Sequence, residues 1–162
     1  MKTINTNFSS EIVRTHFNTP FSSIKEIYTT ENIILLTDET VFHLHENKFE
    51  GFKVIVVDGS EKNKTQSTRD YIVDKVLEFN VDKSWLLLGV GGGVITDIAG
   101  YTASIFKRGI KLGLVPTTIL AMTDAAIGGK NGVNVGMYKN MVGTTYRASF
   151  ILYDYSFLDT LP

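Results

Sequence analysis

Glycine and polar residues follow four short apolar runs of the sequence, and their types suit the binding of a phosphorylated ligand. Three glycines, Gly91 to Gly93, lie between the third apolar run and a helical pattern. Glycine lets the backbone approach a ligand closely and turn with positive φ. The free N–H groups at the start of a helix attract anions. The pattern therefore predicts a diphosphate-binding turn; the alternative is a tight turn that only packs the helix on the sheet.

Two common phosphate-binding motifs are not met by these glycines. A G-x-G-x-x-G motif that begins at Gly89 needs glycine at position 94, which is Val94. A Walker A loop that ends at Gly129-Lys130 would begin at Asp124, and Asn131 replaces its final Ser or Thr. Any nucleotide site must therefore use a non-standard glycine turn.

Charge is distributed unevenly along the chain. The net charge is −1, which gives no indication of a nucleic-acid partner. Between residues 98 and 153, however, six basic residues accompany one acidic residue, Asp124. This cationic segment favours a small anionic ligand, such as a phosphate or carboxylate, in a loop-lined cleft. A solvated basic face is the alternative.

Other ionisable residues give weaker indications. His43 and His45 are two residues apart and His16 is isolated, so the histidines do not predict a metal site. Asp97 could stabilise the start of the helix after the glycines. Glu61 and Lys64 could form an exposed ion pair of little energetic value.

Size and composition indicate one folded domain. The chain has 162 residues, of which 43% are hydrophobic and 20% charged. The absence of cysteine excludes disulfides and thiolate chemistry. No apolar run approaches the roughly 20 residues that span a bilayer, and the N-terminus lacks the apolar core of a signal peptide. We expect a soluble, cytoplasmic protein that does not bind membranes.

Strands alternate with helices along the chain. Helices are predicted over 38–46, after the capping-box spacing Ser67–Asp70, and over 94–106. The predicted strands cover 33–37, 52–57, 85–89, 112–115 and 150–153. Because these strands are apolar throughout, we expect an α/β fold with a parallel sheet covered by helices on both faces. Ligands of such sheets bind beyond the carboxyl ends of the strands.

Four segments in this order resemble the 3-dehydroquinate synthase family. They are GVGGGVITDIAGYTASIFKRG, VPTTILAMTDAAIGGKNGVN, YKNMVGTTY and the ending FLDTLP. Asp38 and the pair Glu61-x-x-Lys64 also fit, so the resemblance covers residues 32–162. It implies a Rossmann-like NAD-binding domain in which particular residues have assigned roles.

The cofactor roles implied by the resemblance fall into three groups. The adenosine ribose would be held by Asp38, Glu61 and Lys64. The diphosphate would lie against Gly92 and Gly93. The ribose and nicotinamide side would meet Asp97, Thr117, Thr118, Leu120 and Asp124, with Lys139 nearby. Of the residues with implied catalytic roles, Lys130 and Asn140 would face the substrate, and Arg108 would reach the neighbouring subunit's site in a homodimer.

The resemblance also implies a reaction. The family uses NAD to convert a phosphorylated keto sugar acid, 3-deoxy-D-arabino-heptulosonate 7-phosphate, into 3-dehydroquinate and phosphate in aromatic amino acid biosynthesis. A divalent metal, zinc or cobalt, is held there by a C-terminal helical domain that this chain lacks. We therefore expect residues 1–162 to form a single NAD-binding domain that is inactive alone. Another sugar-phosphate cyclase, or a non-catalytic NAD-binding module, are the alternatives.

Three positions depart from the family's usual residues. Ala125 and Ala126 replace two serines, and Asn131 replaces a threonine. We expect these changes to alter hydrogen bonds on the substrate side.

Overall fold

A computed structural model describes residues 2–8, 11–27 and 32–162 of the chain. Its main sheet has seven strands in the order β1-β2-β9-β6-β5-β3-β4. Six of these strands are parallel, and β1 pairs antiparallel with β2. The strands are β1 (Lys2–Phe8), β2 (Glu11–Phe17), β3 (Ile33–Asp38), β4 (Lys53–Val57), β5 (Leu86–Gly91), β6 (Lys111–Pro116) and β9 (Phe150–Tyr153); β7 (Lys130–Val135) and β8 (Tyr138–Thr145) form a separate hairpin.

Within the described residues, four α-helices connect these strands. They are α1 (Ile24–Ile27), α2 (Glu39–His45), α3 (Gln66–Glu78) and α4 (Gly93–Ile105). A π-helical turn, Ala121–Ala125, follows β6, and a 3-10 segment, Tyr155–Thr160, follows β9. None of the described helices is long and apolar enough to cross a membrane.

Apolar residues cover both faces of the sheet. On one face, Leu87 packs with Ile72 of α3 and Ile98 of α4. On the other, Leu88 packs with residues that include Phe21 and Phe157. Because successive strand residues point to opposite faces, a strand covered on both faces must be apolar at every position. The predicted α/β fold with helices on both faces of a mostly parallel sheet is therefore confirmed.

The predicted elements are close to the observed ones, with one wrong cap. The strand over 150–153 has the predicted bounds, and the other four differ by one or two residues at an end. The spacing Ser67–Asp70 does not cap α3. Thr65 does, because its side-chain oxygen accepts a hydrogen bond of 3.2 Å from the Thr68 N–H.

Two hairpins have no counterpart among the predicted elements. One is β1–β2, which extends the sheet at its edge, and the other is β7–β8. Seven of the eight residues of β8 are exposed. Neither hairpin shows the continuous apolar run that marks a buried strand.

Candidate functional site

A cleft of about 460 Å³ lies at the carboxyl ends of the parallel strands. Its walls come from the ends of β3, β4, β5 and β6 and from the 3-10 segment after β9. Five of the residues singled out in the sequence line it: Asp38, Gly92, Gly93, Thr117 and Thr118. Polar and glycine residues thus collect at this edge of the sheet, as their positions directly after the predicted strands lead one to expect.

The glycines of this turn perform two different tasks. A Cβ at Gly89 would lie 2.7 Å from Ala99 Cβ, and a Cβ at Gly91 would lie 2.7 Å from Ile95 Cβ, so both glycines let α4 pack closely on β5. A Cβ at Gly93 would instead meet nothing nearer than 3.8 Å. The expected positive φ is wrong: Gly92 has φ −75°, and the positive-φ glycines lie elsewhere. Close approach, rather than an unusual backbone angle, explains why glycine is needed here.

The start of α4 offers an anion site to the first cleft. Gly92 is the N-cap of this 13-residue helix and supplies no capping side chain. The first-turn residues Gly93, Val94 and Ile95 line the cleft. Uncapped N–H groups and the positive end of the helix dipole favour a negatively charged group. An open glycine turn before an uncapped helix therefore fits the diphosphate of a dinucleotide.

Asp38 is fixed at the opposite wall of the first cleft. It caps α2, because one carboxylate oxygen accepts a hydrogen bond of 2.9 Å from the Val41 N–H. A Cβ at Gly59 would lie only 2.6 Å from Asp38 Cβ, so glycine lets the chain after β4 pass close to this aspartate. A carboxylate held in this way can accept hydrogen bonds from the hydroxyls of a ribose.

A buried ion pair links Lys64 to Asp97. The Lys64 Nζ lies 2.5 Å from Asp97 Oδ2, and the two side chains are 5% and 18% exposed. Burial raises the pKa of the Asp97 carboxyl; Lys64 opposes this shift, while the charges of Glu61 and Asp124 add to it.

Two alternatives considered from the sequence, an exposed Glu61–Lys64 ion pair and a helix-terminus role for Asp97, are therefore wrong. Lys64 pairs with Asp97, and the Glu61 carboxylate instead accepts a hydrogen bond from Asn134. Asp97 lies beyond the first turn of α4, so it does not act there as a helix-terminus charge.

A second cleft, of about 610 Å³, lies between α4, the π-helical turn and the β7–β8 hairpin. The hairpin brings Lys130 and Asn140 into it, and Asp97 and Asp124 contribute carboxylates. An ammonium group and an amide can bind an anionic, hydroxylated ligand, while the carboxylates accept its hydroxyl protons in hydrogen bonds. Asp97 lines this cleft while its partner Lys64 anchors it from the loop after β4.

Besides Glu61 and Lys64, which line neither cleft, three other residues singled out in the sequence lie outside both clefts. Leu120 is 70% exposed, and Lys139 is exposed on β8. Arg108 is exposed, has φ 65°, and follows the far end of α4. Within one chain the structure does not bring these three side chains to the site.

The predicted cationic segment does not form one surface. Lys111 begins β6 and Arg147 precedes β9, so both lie at the amino ends of the parallel strands with Arg108. Lys130 lies in the second cleft, near the opposite edge. The expectation of a single cationic cleft is wrong because α4 and β6 carry the chain between the two edges.

The three unusual positions have different surroundings. Asn131 is buried, and its amide donates hydrogen bonds of 2.9 and 2.8 Å to the carbonyls of Gly129 and Tyr146. Ala126 is also buried, whereas Ala125 and Asn131 line the second cleft. Asn131 therefore holds the base of the hairpin through these bonds.

Asn134 is a residue that the sequence did not indicate. Its Nδ2 donates a 2.9 Å hydrogen bond to Glu61 Oε1, and its Oδ1 accepts a 2.9 Å bond from the Asn140 N–H. Its own N–H donates to the Lys64 carbonyl at 2.8 Å. No local spacing predicts these contacts, because Glu61 lies 73 residues away in the sequence.

The described residues supply no metal site. Within residues 2–8, 11–27 and 32–162, no three His, Cys, Asp or Glu side chains come together in a way that could hold a metal ion.

Comparison with known sequences identifies the family. Residues 54–162 match the model for the N-terminal part of 3-dehydroquinate synthase. The chain is 54% identical over 110 residues to 3-dehydroquinate synthase of Pyrococcus furiosus. The matched segment covers 68% of this chain and 32% of that protein. Across the similar curated relatives, the matched part is 30–48% of the relative's length, so the chain spans less than half of them.

Solved structures agree with this fold. A 2-deoxy-scyllo-inosose synthase complexed with carbaglucose-6-phosphate, NAD⁺ and Co²⁺ is 26% identical, with a TM-score of 0.87 over 99% of this chain and 47% of that one. A 2-epi-5-epi-valiolone synthase from Streptomyces hygroscopicus, with NAD⁺ and Zn²⁺ bound, is 30% identical, with a TM-score of 0.84 over 99% and 47%. The family match, the sequence relatives and the fold agree: the chain belongs to the 3-dehydroquinate synthase family and corresponds to its N-terminal part.

Proposed function

We propose that this chain is the NAD-binding part of an enzyme that converts 3-deoxy-D-arabino-heptulosonate 7-phosphate into 3-dehydroquinate and phosphate. The observation that carries the proposal is the pairing of two clefts. One contains an open glycine turn at the start of a helix, and the other contains Lys130 and Asn140. The Lys64–Asp97 ion pair connects the second cleft to the loop that follows β4.

NAD would occupy the first cleft in an extended form. Asp38, Glu61 and Lys64 would hold the adenosine ribose, and Gly92 and Gly93 would allow the diphosphate to reach the N–H groups of α4. The nicotinamide end would lie toward the second cleft, within reach of Thr117, Thr118 and Asp124. Support comes from the open Cβ direction at Gly93 and from the NAD⁺ named in the two related structures.

The residues of the second cleft would bind and orient the phosphorylated keto sugar acid. NAD⁺ held in the first cleft would supply reversible hydride transfer with a substrate alcohol. The Lys130 ammonium would attract the substrate's anionic groups, and the Asn140 amide would hydrogen-bond its oxygens. Asp97 would be held in one orientation by Lys64, so that its free oxygen can accept a hydroxyl proton in a hydrogen bond.

The proposed active site also needs a second subunit and a metal-binding domain. Arg108 would act on the site of a second subunit in a homodimer, since it lies far from the clefts of its own chain. The divalent metal named in the related structures, Co²⁺ or Zn²⁺, would be held by a helical domain outside these 162 residues. The chain by itself would then bind NAD without turning over the sugar phosphate.

Calorimetric titration of the chain with NAD⁺ tests the cofactor site. The variant is Gly93→Val, because Gly93 lines the cleft and a Cβ added there meets no protein atom nearer than 3.8 Å. Gln66→Val is the matched control: it places the same side chain at the first position of α3, exposed and outside both clefts. We expect NAD⁺ to bind the parent and the control but not Gly93→Val. Equal binding by all three would refute the proposed diphosphate site.

The competing possibility is that the enzyme acts on a different sugar phosphate. The fold matches a 2-deoxy-scyllo-inosose synthase with a TM-score of 0.87. Identity, however, is 54% with a 3-dehydroquinate synthase and 26% with that cyclase, which favours the keto sugar acid. Phosphate release by the complete enzyme should be faster from the keto sugar acid than from glucose 6-phosphate. The opposite order would assign the chain to the other cyclases.

A further inference from the structure

We infer that Asn134 is a positioning residue that couples the cofactor side of the site to its substrate side. The inference rests on the proposed function, because it concerns Glu61 and Asn140 in their proposed roles. Asn134 lies near the end of β7, between the loop that carries Glu61 and Lys64 and the strand that carries Asn140. It lines neither cleft, so it acts through its neighbours and not by touching a ligand.

The amide group of Asn134 uses its donor and its acceptor on opposite sides. Nδ2 donates to the Glu61 carboxylate at 2.9 Å and to the Glu61 carbonyl at 3.2 Å. Oδ1 accepts the Asn140 N–H at 2.9 Å. A rigid planar amide therefore fixes the distance between the two residues that would contact the adenosine ribose and the substrate.

The backbone around Asn134 reinforces this connection. The Asn134 N–H donates to the Lys64 carbonyl at 2.8 Å, and Asn134 forms an isolated parallel bridge with Thr65. Lys64 in turn holds Asp97. Asn134 thus anchors the hairpin to the same loop whose lysine fixes an aspartate of the second cleft.

Asn140 needs such an anchor because its backbone is unusual. It has φ 55°, in the left-handed region that residues other than glycine seldom adopt, although asparagine tolerates it better than most. The hydrogen bond to Asn134 Oδ1 holds the Asn140 N–H in this conformation. Without it we expect Asn140 to relax toward ordinary β-strand angles, which would redirect its side chain.

Two substitutions separate the two sides of the amide. Asn134→Ala removes all three side-chain hydrogen bonds. Asn134→Asp retains an oxygen that can accept the Asn140 N–H, but its carboxylate cannot donate to Glu61 and repels it. The matched control is Ser104→Ala, which removes a different tether of the hairpin, the 2.8 Å hydrogen bond from Thr144 to Ser104, and leaves the Asn134 contacts intact.

Two quantities are measured for the parent chain and each variant. They are the Kd of NAD⁺, by calorimetry, and the hydrogen-exchange rate of the Asn140 backbone amide, by NMR. We expect both Asn134 variants to weaken NAD⁺ binding by about tenfold, the loss expected for one hydrogen bond to a charged group. The Asn140 amide should exchange at least about tenfold faster in Asn134→Ala only. Ser104→Ala should change neither quantity.

A general loss of structure cannot produce this split, because it would accelerate Asn140 exchange in both variants. Equal exchange in the parent and Asn134→Ala, or equally fast exchange in both variants, overturns the inference. If Asn134→Ala does not fold, Asn134→Asp decides: weakened NAD⁺ binding with a protected Asn140 supports the coupling, and unchanged binding contradicts it. If the parent itself binds no NAD⁺, the proposed function fails, while the exchange rates still test the hold on Asn140.

Discussion

At the scale of single residues, the Lys64–Asp97 pair joins the loop after β4 to the second cleft. Replacing Lys64 with Met would leave a buried carboxylate without its partner, and we expect this to lower the free energy of unfolding by about 3 kcal/mol. The double variant Lys64→Met/Asp97→Asn should lose less, because the neutral amide needs no counter-charge. Urea denaturation measures both. Lys62→Met, an exposed lysine in the same loop, is the control.

Two outcomes of the denaturation experiment would contradict this prediction. If Lys64→Met and Lys62→Met lose equal stability, the ion pair contributes nothing beyond a surface charge. If the double variant loses as much stability as Lys64→Met and Asp97→Asn, each measured alone, lose together, the two side chains do not interact energetically.

His45 gives the chain a pH-dependent stability. Burial lowers the pKa of His45 below 6.5; Lys48 adds to the effect, and Asp154 opposes it. Since the unfolded chain then binds the proton more readily, the stability is fully present above pH 6.5 and is lost as the pH falls through the folded pKa. We expect His45→Gln to reduce this loss between pH 7 and 5. Gln can also keep the hydrogen bond to Thr160.

Denaturation midpoints at several pH values test this. His16, whose pKa burial also lowers, remains in both proteins, so some pH dependence should persist in the variant. An identical pH dependence of the parent and His45→Gln would show that His45 titrates alike in the folded and unfolded chain.

Residue types and order predicted much of the site, but not its pairings. Gly92 and Gly93 could be selected because a glycine turn before a helix is typical of phosphate sites, whereas Lys130 and Asn140 were selected because the resemblance to the 3-dehydroquinate synthase family implies their roles. The pairing of Lys64 with Asp97 spans 33 residues of sequence. Which carboxylate a lysine meets is decided by the packing of α4 beside the loop after β4, and that arrangement is not encoded in any local spacing.

At the scale of elements, α4 and β7 meet at Gly100. A Cβ there would lie 1.8 Å from Asn131 Oδ1, so alanine cannot be accommodated without moving the hairpin. We expect Gly100→Ala to cost about 2 kcal/mol of stability, within the range for overpacked cores. Adding Asn131→Ala should relieve the overlap, so the double variant should be more stable than the sum of the single losses predicts. Thermal denaturation of the four proteins gives the coupling, and strict additivity would contradict it.

Most of the strands that the sequence predicted well are buried along nearly their whole length. Strands β3, β5 and β9 are apolar or small at nearly every position because helices cover both faces. The hairpins β1–β2 and β7–β8 could not be found in the same way. Their residues are mainly exposed or polar, and their pairing depends on register rather than on burial.

At the scale of the whole molecule, the parallel sheet separates two edges with different contents. Both clefts of the proposed site lie toward the carboxyl edge, whereas Arg108, Lys111 and Arg147 lie at the amino edge. The sequence could not show this, because a charge count along the chain does not reveal which end of a helix each charge will occupy. The basic residues of one segment therefore serve two surfaces.

Arg108 lies at the far end of α4 from the glycine turn of its own chain. Helix α4 has 13 residues, so its end lies about 20 Å from Gly93 at 1.5 Å per residue, and Arg108 follows that end. Arg108 cannot reach the glycine turn of its own chain across this distance. We therefore expect Arg108→Ala to leave the Kd of NAD⁺ within about twofold of the parent's, a change of less than 0.5 kcal/mol. In the complete enzyme, mixing an inactive Arg108→Ala protein with an inactive Lys130→Ala protein should restore activity, because a mixed dimer would contain one intact site. No recovery, after mixed dimers have been demonstrated, would place the function of Arg108 within its own subunit or outside catalysis.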